Sequence, residues 1–254
     1  KYLQSGGVTV LTGKGVTGVH HDKYGISGIV CGKETYTATN YLFATGSMSH
    51  KETGSTGDGF KWLTRLGHTV KEATPTIVPL GTGEEWGHML AGVSLSFMKI
   101  TFFVDEKKAL SKTGKILFTH FGISGPLILN LAHTVGDLLH TAHVTALIDA
   151  YPHTDLGSLE KTIIKVFDAN KNKALKNIIK EFVPEGTHKG ISVLLKERLD
   201  IEKKVHLVTK EERKVIVRLL KALPLSITGL MGFDRAVIAD GGVVLDVIDI
   251  RFMS

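Results

Sequence analysis

The chain has 254 residues, 43% apolar and 22% charged, which excludes a disordered polymer and allows one large or two modest domains. Its single cysteine, Cys31, excludes a disulfide framework and a cysteine-based zinc site and points to a reducing, cytoplasmic setting. The net charge of +6 sits in one segment: residues 155–224 hold 16 Lys/Arg against 10 Asp/Glu, and the rest balance at 15 and 15.

In chain order, residues 1–46 read as short strands separated by Gly, Asp and Lys turns. The candidates are 8–11, 15–19, 26–31 and 35–38, and then 41–44, an apolar run suited to a strand buried on both faces. Residues 47–57 form a Ser/Thr/Gly loop. Asp58 is placed to cap a helix whose stripe is Phe60, Leu63 and Leu66 and whose stop is Gly67. Strands follow at 76–80, 90–97, 100–104 and 116–120, then a helix over 126–131 and a strand at 144–149. The whole reads as a small barrel or strongly bent sheet.

Residues 155–223 change period. Leu159, Ile163, Val166 and Phe167 are spaced for one helix face, and so are Leu175, Ile178, Ile179 and Phe182. Ile191, Leu194 and Leu195 continue the pattern, and Val215, Ile216, Leu219, Leu220 and Leu223 end it. Thr209 with Glu212 spells a capping box. Strands return at 225–228, 236–239 and 243–248. A helical block bracketed by strands is the pattern of an insertion, and the block reads as a separable helical unit. Its lysines read as solvated helix faces, not as a nucleic-acid surface, because no aromatic stacking set accompanies them. No apolar run approaches the roughly 18 residues of a membrane span, so no membrane contact is expected.

Gly13-Lys14-Gly15-Val16-Thr17-Gly18 spells G-x-G-x-x-G, but a strand and turn follow where a phosphate-binding helix must start, so it reads as a decoy. Residues 53–59, Thr-Gly-Ser-Thr-Gly-Asp-Gly, are a stronger candidate. Glycines running into a helix N-terminus let a backbone approach an anion or a flat cofactor, and the loop is expected to face an open cavity. His133, His140 and His143 with Asp137 lack the convergence a metal needs, so no metal ligands are assigned, and His68 and His120 read as structural.

Leu42-Phe43-Ala44-Thr45-Gly46 resembles the Ala-Thr-Gly strand end of flavoproteins with a Rossmann-type FAD domain. Residues 53–60, Leu66-Gly67-His68-Thr69, 75–80, 90–95, GKILFTHFGISGPLILNL at 114–131 and LPLSITGLMGFDRAVIADGGV at 223–243 extend the likeness in order. Together they resemble the NAD(FAD)-utilising dehydrogenases, also called aminoacetone-oxidase-like FAD-binding proteins. The resemblance implies an α+β fold: a β-rich, barrel-like insert with a helical subdomain, flanked by remnants of a Rossmann-type FAD-binding domain. The implied division is 1–73 FAD-domain remnant, 74–154 barrel-like insert, 155–224 helical subdomain, and 225–254 return strands and the start of the FAD domain's C-terminal part.

The resemblance implies an FAD-dependent oxidoreductase, reduced by NAD(P)H, with Thr45, Gly46, Gly54, Thr56, Gly57, Gly241 and Gly242 beside the flavin. It supplies no catalytic acid or base, no substrate and no oligomeric state. The chain departs from the family pattern at Ser47, His50, Lys51, Val247, Ile250 and Phe252. It starts mid-pattern at Lys1 and stops just after a strand-like run. The expectation is therefore an interior segment of a longer flavoprotein, inactive alone and not retaining FAD. The alternative is a non-catalytic insertion or partner-binding module with a basic helical surface.

Overall fold

Hairpin chemistry organises the first stretch of the computed structural model, which describes residues 2–249. After a single helical turn, α1 (Tyr2–Ser5), the strands β1 (Gly18–Asp22), β2 (Gly25–Cys31) and β3 (Glu34–Tyr36) form an antiparallel three-stranded sheet. Asp22 Oδ1 accepts the Tyr24 N–H at 2.7 Å, the local bond that makes Asp a turn former. β1 follows the G-x-G-x-x-G segment directly, so no helix begins there. Next come α2 (Asp58–Arg65), ended beyond Leu66 by Gly67 at φ +96°, and β4 (Val70–Pro75).

Two expected strands are absent here. Residues 8–11 and 41–44 pair with nothing in a ladder, and Leu42, expected to be buried, is 89% exposed. An apolar run becomes a strand only where a neighbour supplies hydrogen bonds, and neither run has one among the described residues. These elements belong to a compact unit formed by the described part of residues 1–74 and 239–254.

The second compact unit is Pro75–Ile238. Its strands are β5 (Leu80–Thr82), β6 (Ser94–Val104), β7 (Lys107–Thr119), β8 (Gly122–Ser124), β9 (Val144–Asp149) and β10 (Leu223–Leu230). They close into an antiparallel barrel in the order β10-β5-β8-β7-β6-β9. Alternation drives closure. Val144, Ala146 and Ile148 of β9 and Leu223, Leu225 and Ile227 of β10 are buried, and the residues between them are more exposed. The runs read as two strands at 90–97 and 100–104 are one strand, β6, whose register against β7 shifts between Leu95 and Met98. In that bulge Phe97 has φ +58° and stands 71% exposed.

Helices pack on the barrel. α3 (Glu85–His88) seats Trp86, whose Nε1–H donates to the Pro224 carbonyl at 2.9 Å. α4 (Pro126–Thr141) has Pro126 in its first turn and runs well past the expected 126–131, because Ile128, Leu131, Ala132 and Val135 keep one face buried. Then come α5 (Leu156–Ala169), α6 (Leu175–Ile178), α7 (His188–Lys196) and α8 (Lys210–Lys221). A Cβ on Gly190 would lie 2.3 Å from the Trp86 carbonyl oxygen, so glycine is what lets α7 approach α3. The helices pack on one another, α5 against α8, and their stripes also join the barrel core. Ile163, Ile178, Ile191 and Ile216 share one continuous apolar core with Ile100, Phe102, Phe118 and Ile148 of the barrel.

After β10 the segment at 236–239 is not a strand of its own. The chain forms β11 (Ala239–Val243), paired with β4, and then a 3-10 turn at Leu245–Val247 where a strand over 243–248 was expected. The departures at Ile250 and Phe252 lie outside the described residues. No helix among the described residues is long and apolar enough to cross a membrane.

The capping box before α8 forms as its sequence spells. Thr209 Oγ1 accepts the Glu212 N–H at 3.2 Å, and Glu212 Oε2 accepts the Thr209 N–H at 2.9 Å. The Glu212 carboxyl is held below its ordinary value, chiefly by the Lys203 hydrogen bond and further by the Thr209 N–H. A depressed carboxylate stabilises the fold above its unfolded value of about 4.3 and ceases to as pH falls through the lower folded value. Thr209→Ala should cost about 1 kcal/mol in urea denaturation at neutral pH. Its difference from the parent chain should shrink on acidification below the carboxylate range. An undiminished difference there would show that the Thr209 hydroxyl gains nothing from the ionised Glu212 carboxylate.

Candidate functional site

The glycine-rich loop ahead of α2 borders a cleft of about 290 Å³ within the first unit. Its wall includes Thr45, Gly54, Thr56, Asp58 and Trp62, with Val16 opposite in the sequence order. A smaller cleft of about 130 Å³ shares Val16, Thr45 and Trp62 and adds Tyr41 and Phe43. Thus Thr45, Gly54 and Thr56, three of the sequence-derived candidates, meet around one space.

Local chemistry explains the arrangement. Gly57, at φ +77°, is the residue preceding α2 and offers no side-chain cap. Asp58 is therefore not the cap that its sequence position suggested but the first helical residue, because a left-handed Gly57 turns the chain into the helix one step earlier. Asp58 Oδ2 accepts the Thr56 hydroxyl at 2.7 Å and its Oδ1 accepts Lys61 Nζ at 2.8 Å. These bonds, Lys61 first and then Thr56, hold its carboxyl below the ordinary range. α2 meets the irregular segment holding Thr45 at Gly59, where a Cβ would collide with Thr45 Oγ1.

The remaining candidates, Gly46, Gly57, Gly241 and Gly242, are not on its wall. Gly46 packs against Ser55, whose Oγ a Cβ would meet at 2.4 Å. Gly241 lies against the backbone of β4, a Cβ there falling 2.5 Å from the Glu72 carbonyl oxygen. Gly242 faces the Phe60 ring of α2, at 3.4 Å from its nearest carbon to a built Cβ. The 53–59 loop thus borders a cleft, as expected, through Gly54, Thr56, Asp58 and Gly59, and neither Gly46 nor Gly242 lines it. His50, a family departure, takes a left-handed conformation at φ +57° and pairs its Nδ1 with Glu52 Oε1 at 2.9 Å.

Sequence reasoning missed Gly15, Val16 and Trp62 as lining residues. Gly15 and Val16 sat inside a motif set aside as a decoy, and Trp62 lies off the α2 apolar stripe, which was the available signal. Among the described residues no group of three or more His, Cys, Asp or Glu side chains is placed to hold a metal ion. His133 Nδ1 instead pairs with Asp137 Oδ2 at 3.1 Å along α4.

The residues fit one part of a dinucleotide and not another. Open space lies over Gly54, threonine hydroxyls stand at Thr45 and Thr56, and the Trp62 indole supplies an apolar wall, which suits a flat, uncharged ring system. A pyrophosphate does not fit, because Asp58 places a carboxylate in the first turn of the helix that would have to meet it.

The chain is 23% identical over 213 residues to the 3-dehydro-bile acid delta(4,6)-reductase of Clostridium scindens, covering 83% of this chain and 51% of that protein. It is also 23% identical over 215 residues to the ribosomal RNA dihydrouridine synthase of Haemophilus influenzae, covering 85% and 50%. The chain thus spans about half the length of these relatives. Residues 74–238, which hold the barrel and its helices, match the family described as HI0933-like protein barrel and H2TH domain. The match over most of its length, with which the six-stranded barrel and its helical segment agree, places the chain in the HI0933-like family of FAD-binding flavoproteins.

Proposed function

We propose that the chain is part of an FAD-dependent oxidoreductase of reductive type, cytoplasmic and reduced by NAD(P)H. The observation that carries this is the cleft around Thr45, Gly54 and Thr56, an open space lined by hydroxyls, one carboxylate and an indole beside a helix with no side-chain cap. Family membership supports it, and so do the reductase and dihydrouridine synthase names of the two relatives. In this reading residues 1–73 and the end of the chain belong to the FAD-binding part, 74–154 to the barrel and 155–224 to its helical extension.

Bound flavin would supply the hydride chemistry. The chain's own residues would hold and shield it. Thr45 and Thr56 offer hydroxyls, Trp62 excludes water from one side, and Gly54 leaves room for the ring. Gly46, Gly57, Gly241 and Gly242 hold the loop, α2 and β11 close together around that space. The Asp58 carboxylate disfavours phosphate at this point, so a pyrophosphate must be held elsewhere.

The test is the colour of the protein at its native length. It should carry FAD near one per chain and bleach with NADH or NADPH under anaerobic conditions. The 254 residues by themselves should not retain FAD through gel filtration. Gly54→Leu, whose side chain would enter open space, should lose most of the flavin, while the Gly54→Ala control, which carries the same backbone strain at φ +93° without the bulk, should keep it. A native-length protein that stays colourless after incubation with FAD would refute the reading. Full flavin content in the Gly54→Leu variant would move the cofactor away from this cleft.

A further inference from the structure

The helical segment has two clefts that the flavin reading leaves unused, and both lie along the same pair of helices. One, of about 340 Å³, joins the C-terminal half of α5 to the start of α8 and includes Asp168, Lys171, His206 and Arg213 in its wall. The other, of about 210 Å³, joins the start of α5 to the later part of α8 and includes Glu160, Lys214 and Arg218. The helices therefore run antiparallel with a groove between them. Arg213 to Arg218 spans about 7.5 Å of helix at 1.5 Å per residue. The walls of the two clefts together carry four cations, Lys171, Arg213, Lys214 and Arg218, and two carboxylates, Glu160 and Asp168, both on α5.

Arg213 is the informative side chain. Its Nε is buried without a hydrogen-bond partner, and the nearest carboxylate, Glu160 Oε1, stands 3.7 Å away, beyond hydrogen-bond range. An unanswered buried N–H is costly, and a guanidinium is a planar fork of donors matched to two oxygens of one anion. His206 lies on the same wall. Its Nδ1–H donates to the Lys171 carbonyl at 2.8 Å, since a carbonyl can only accept, and this bond ties the wall beside Lys171 to the segment ahead of α8. Lys171 meets Asp168 at 3.4 Å in an exposed pair, an arrangement worth little and easily exchanged for a stronger anion. Lys214 is engaged by Glu211 at 2.9 Å.

We propose that the α5–α8 groove is a phosphate-binding site centred on Arg213, with Lys171 and Arg218 as its flanking contacts. The phosphate can belong to a nucleic-acid backbone or to a small phosphorylated molecule, since both offer the same charged oxygens. This site shares no residue with the flavin cleft, so either can fail without the other.

The experiment is calorimetric titration of the whole chain with inorganic pyrophosphate and, separately, with a short RNA duplex of mixed sequence. Each is run at about 50 and 200 mM salt, a span over which phosphate contacts lose affinity steeply. Arg213→Gln should weaken binding about tenfold or more, the worth of a charge-assisted bond. The exposed pair Lys171→Gln with Arg218→Gln should weaken it several-fold and leave the circular dichroism spectrum intact. Duplex binding with little response to pyrophosphate assigns the groove to a nucleic-acid backbone. Pyrophosphate binding of equal strength assigns it to a small phosphate. If neither probe binds, the proposal falls. It falls equally if a probe binds and both the Arg213 variant and the double variant bind it as the parent chain does.

Discussion

Gly122→Ala should destabilise the second unit by about 3–5 kcal/mol, the sum of overpacking and left-handed backbone strain. Gly122 opens β8 with φ +152°, and its built Cβ would lie 2.2 Å from the Leu80 carbonyl oxygen and 2.8 Å from the Thr82 amide nitrogen. Both atoms belong to the backbone of β5, which pairs with β8 through Gly81 and Leu80. A side chain that collides with backbone cannot be relieved by a rotamer change, so the two strands must part where the barrel is narrowest in residues. Thermal melts should show a fall of roughly 8–15 °C for a unit of this size. Gly83→Ala is the control. Its Cβ would make only an ordinary 3.8 Å contact with Thr228, and it should stay within about 0.5 kcal/mol of the parent chain. A Gly122 variant that melts with the Gly83 variant would mean that β5 and β8 are not joined as described.

Lys221→Met should cost about 3 kcal/mol, the low end for breaking a buried ion pair, because its partners keep some contact with water. Lys221 Nζ lies 2.7 Å from Asp149 Oδ2 and donates to the Tyr151 and Thr154 carbonyls at 2.7 and 2.9 Å. The two charged side chains are only 19% and 17% exposed. The ammonium's three protons are all used, so methionine would fill the space but strand a carboxylate and two carbonyls. Adding Asp149→Asn should recover part of the loss, since a neutral amide tolerates burial without a cation. Urea denaturation of both single variants and the double variant measures this. A loss under 1 kcal/mol for Lys221→Met would show that water replaces the ammonium freely.

The helical segment was the most legible part of the sequence for a physical reason. A 3.6-residue period is a local property, and Ile163, Ile191 and Ile216 declare a buried face without reference to any distant residue. Strands are different, because a strand exists only through its partner. The run 41–44 has the composition of a buried strand, yet Leu42 lies open. The bulge that makes β6 one strand depends on its register with β7, which no window of β6 alone contains. α3 is a single turn, too short for a period to show. The stripes of the helices reveal that a face is buried but not what buries it: α5 meets α8, α7 meets α3, and α8 also meets β9. At the candidate site, Thr45, Gly54 and Thr56 were legible because glycine and hydroxyl residues crowd one loop. Val16 and Trp62 reach the same cleft from positions 46 residues apart, a distance that only tertiary structure spans.

β10 pairs with both β5 and β9, and the whole helical segment is synthesised between β9 and β10. A chain emerging from the ribosome therefore holds five of six barrel strands with two unpaired edges until residue 230 is released. Those edges, on β5 and β9, carry open backbone donors and acceptors of the kind that recruit other strands. Closing the gap brings Leu80 to Leu230 across 150 residues, a slow search set by loop entropy. Early folding of the α5–α8 segment shortens that search by tying the end of β9 to the start of β10. Products truncated before Leu223 should accordingly collect in the insoluble fraction, although every one of their helices is intact.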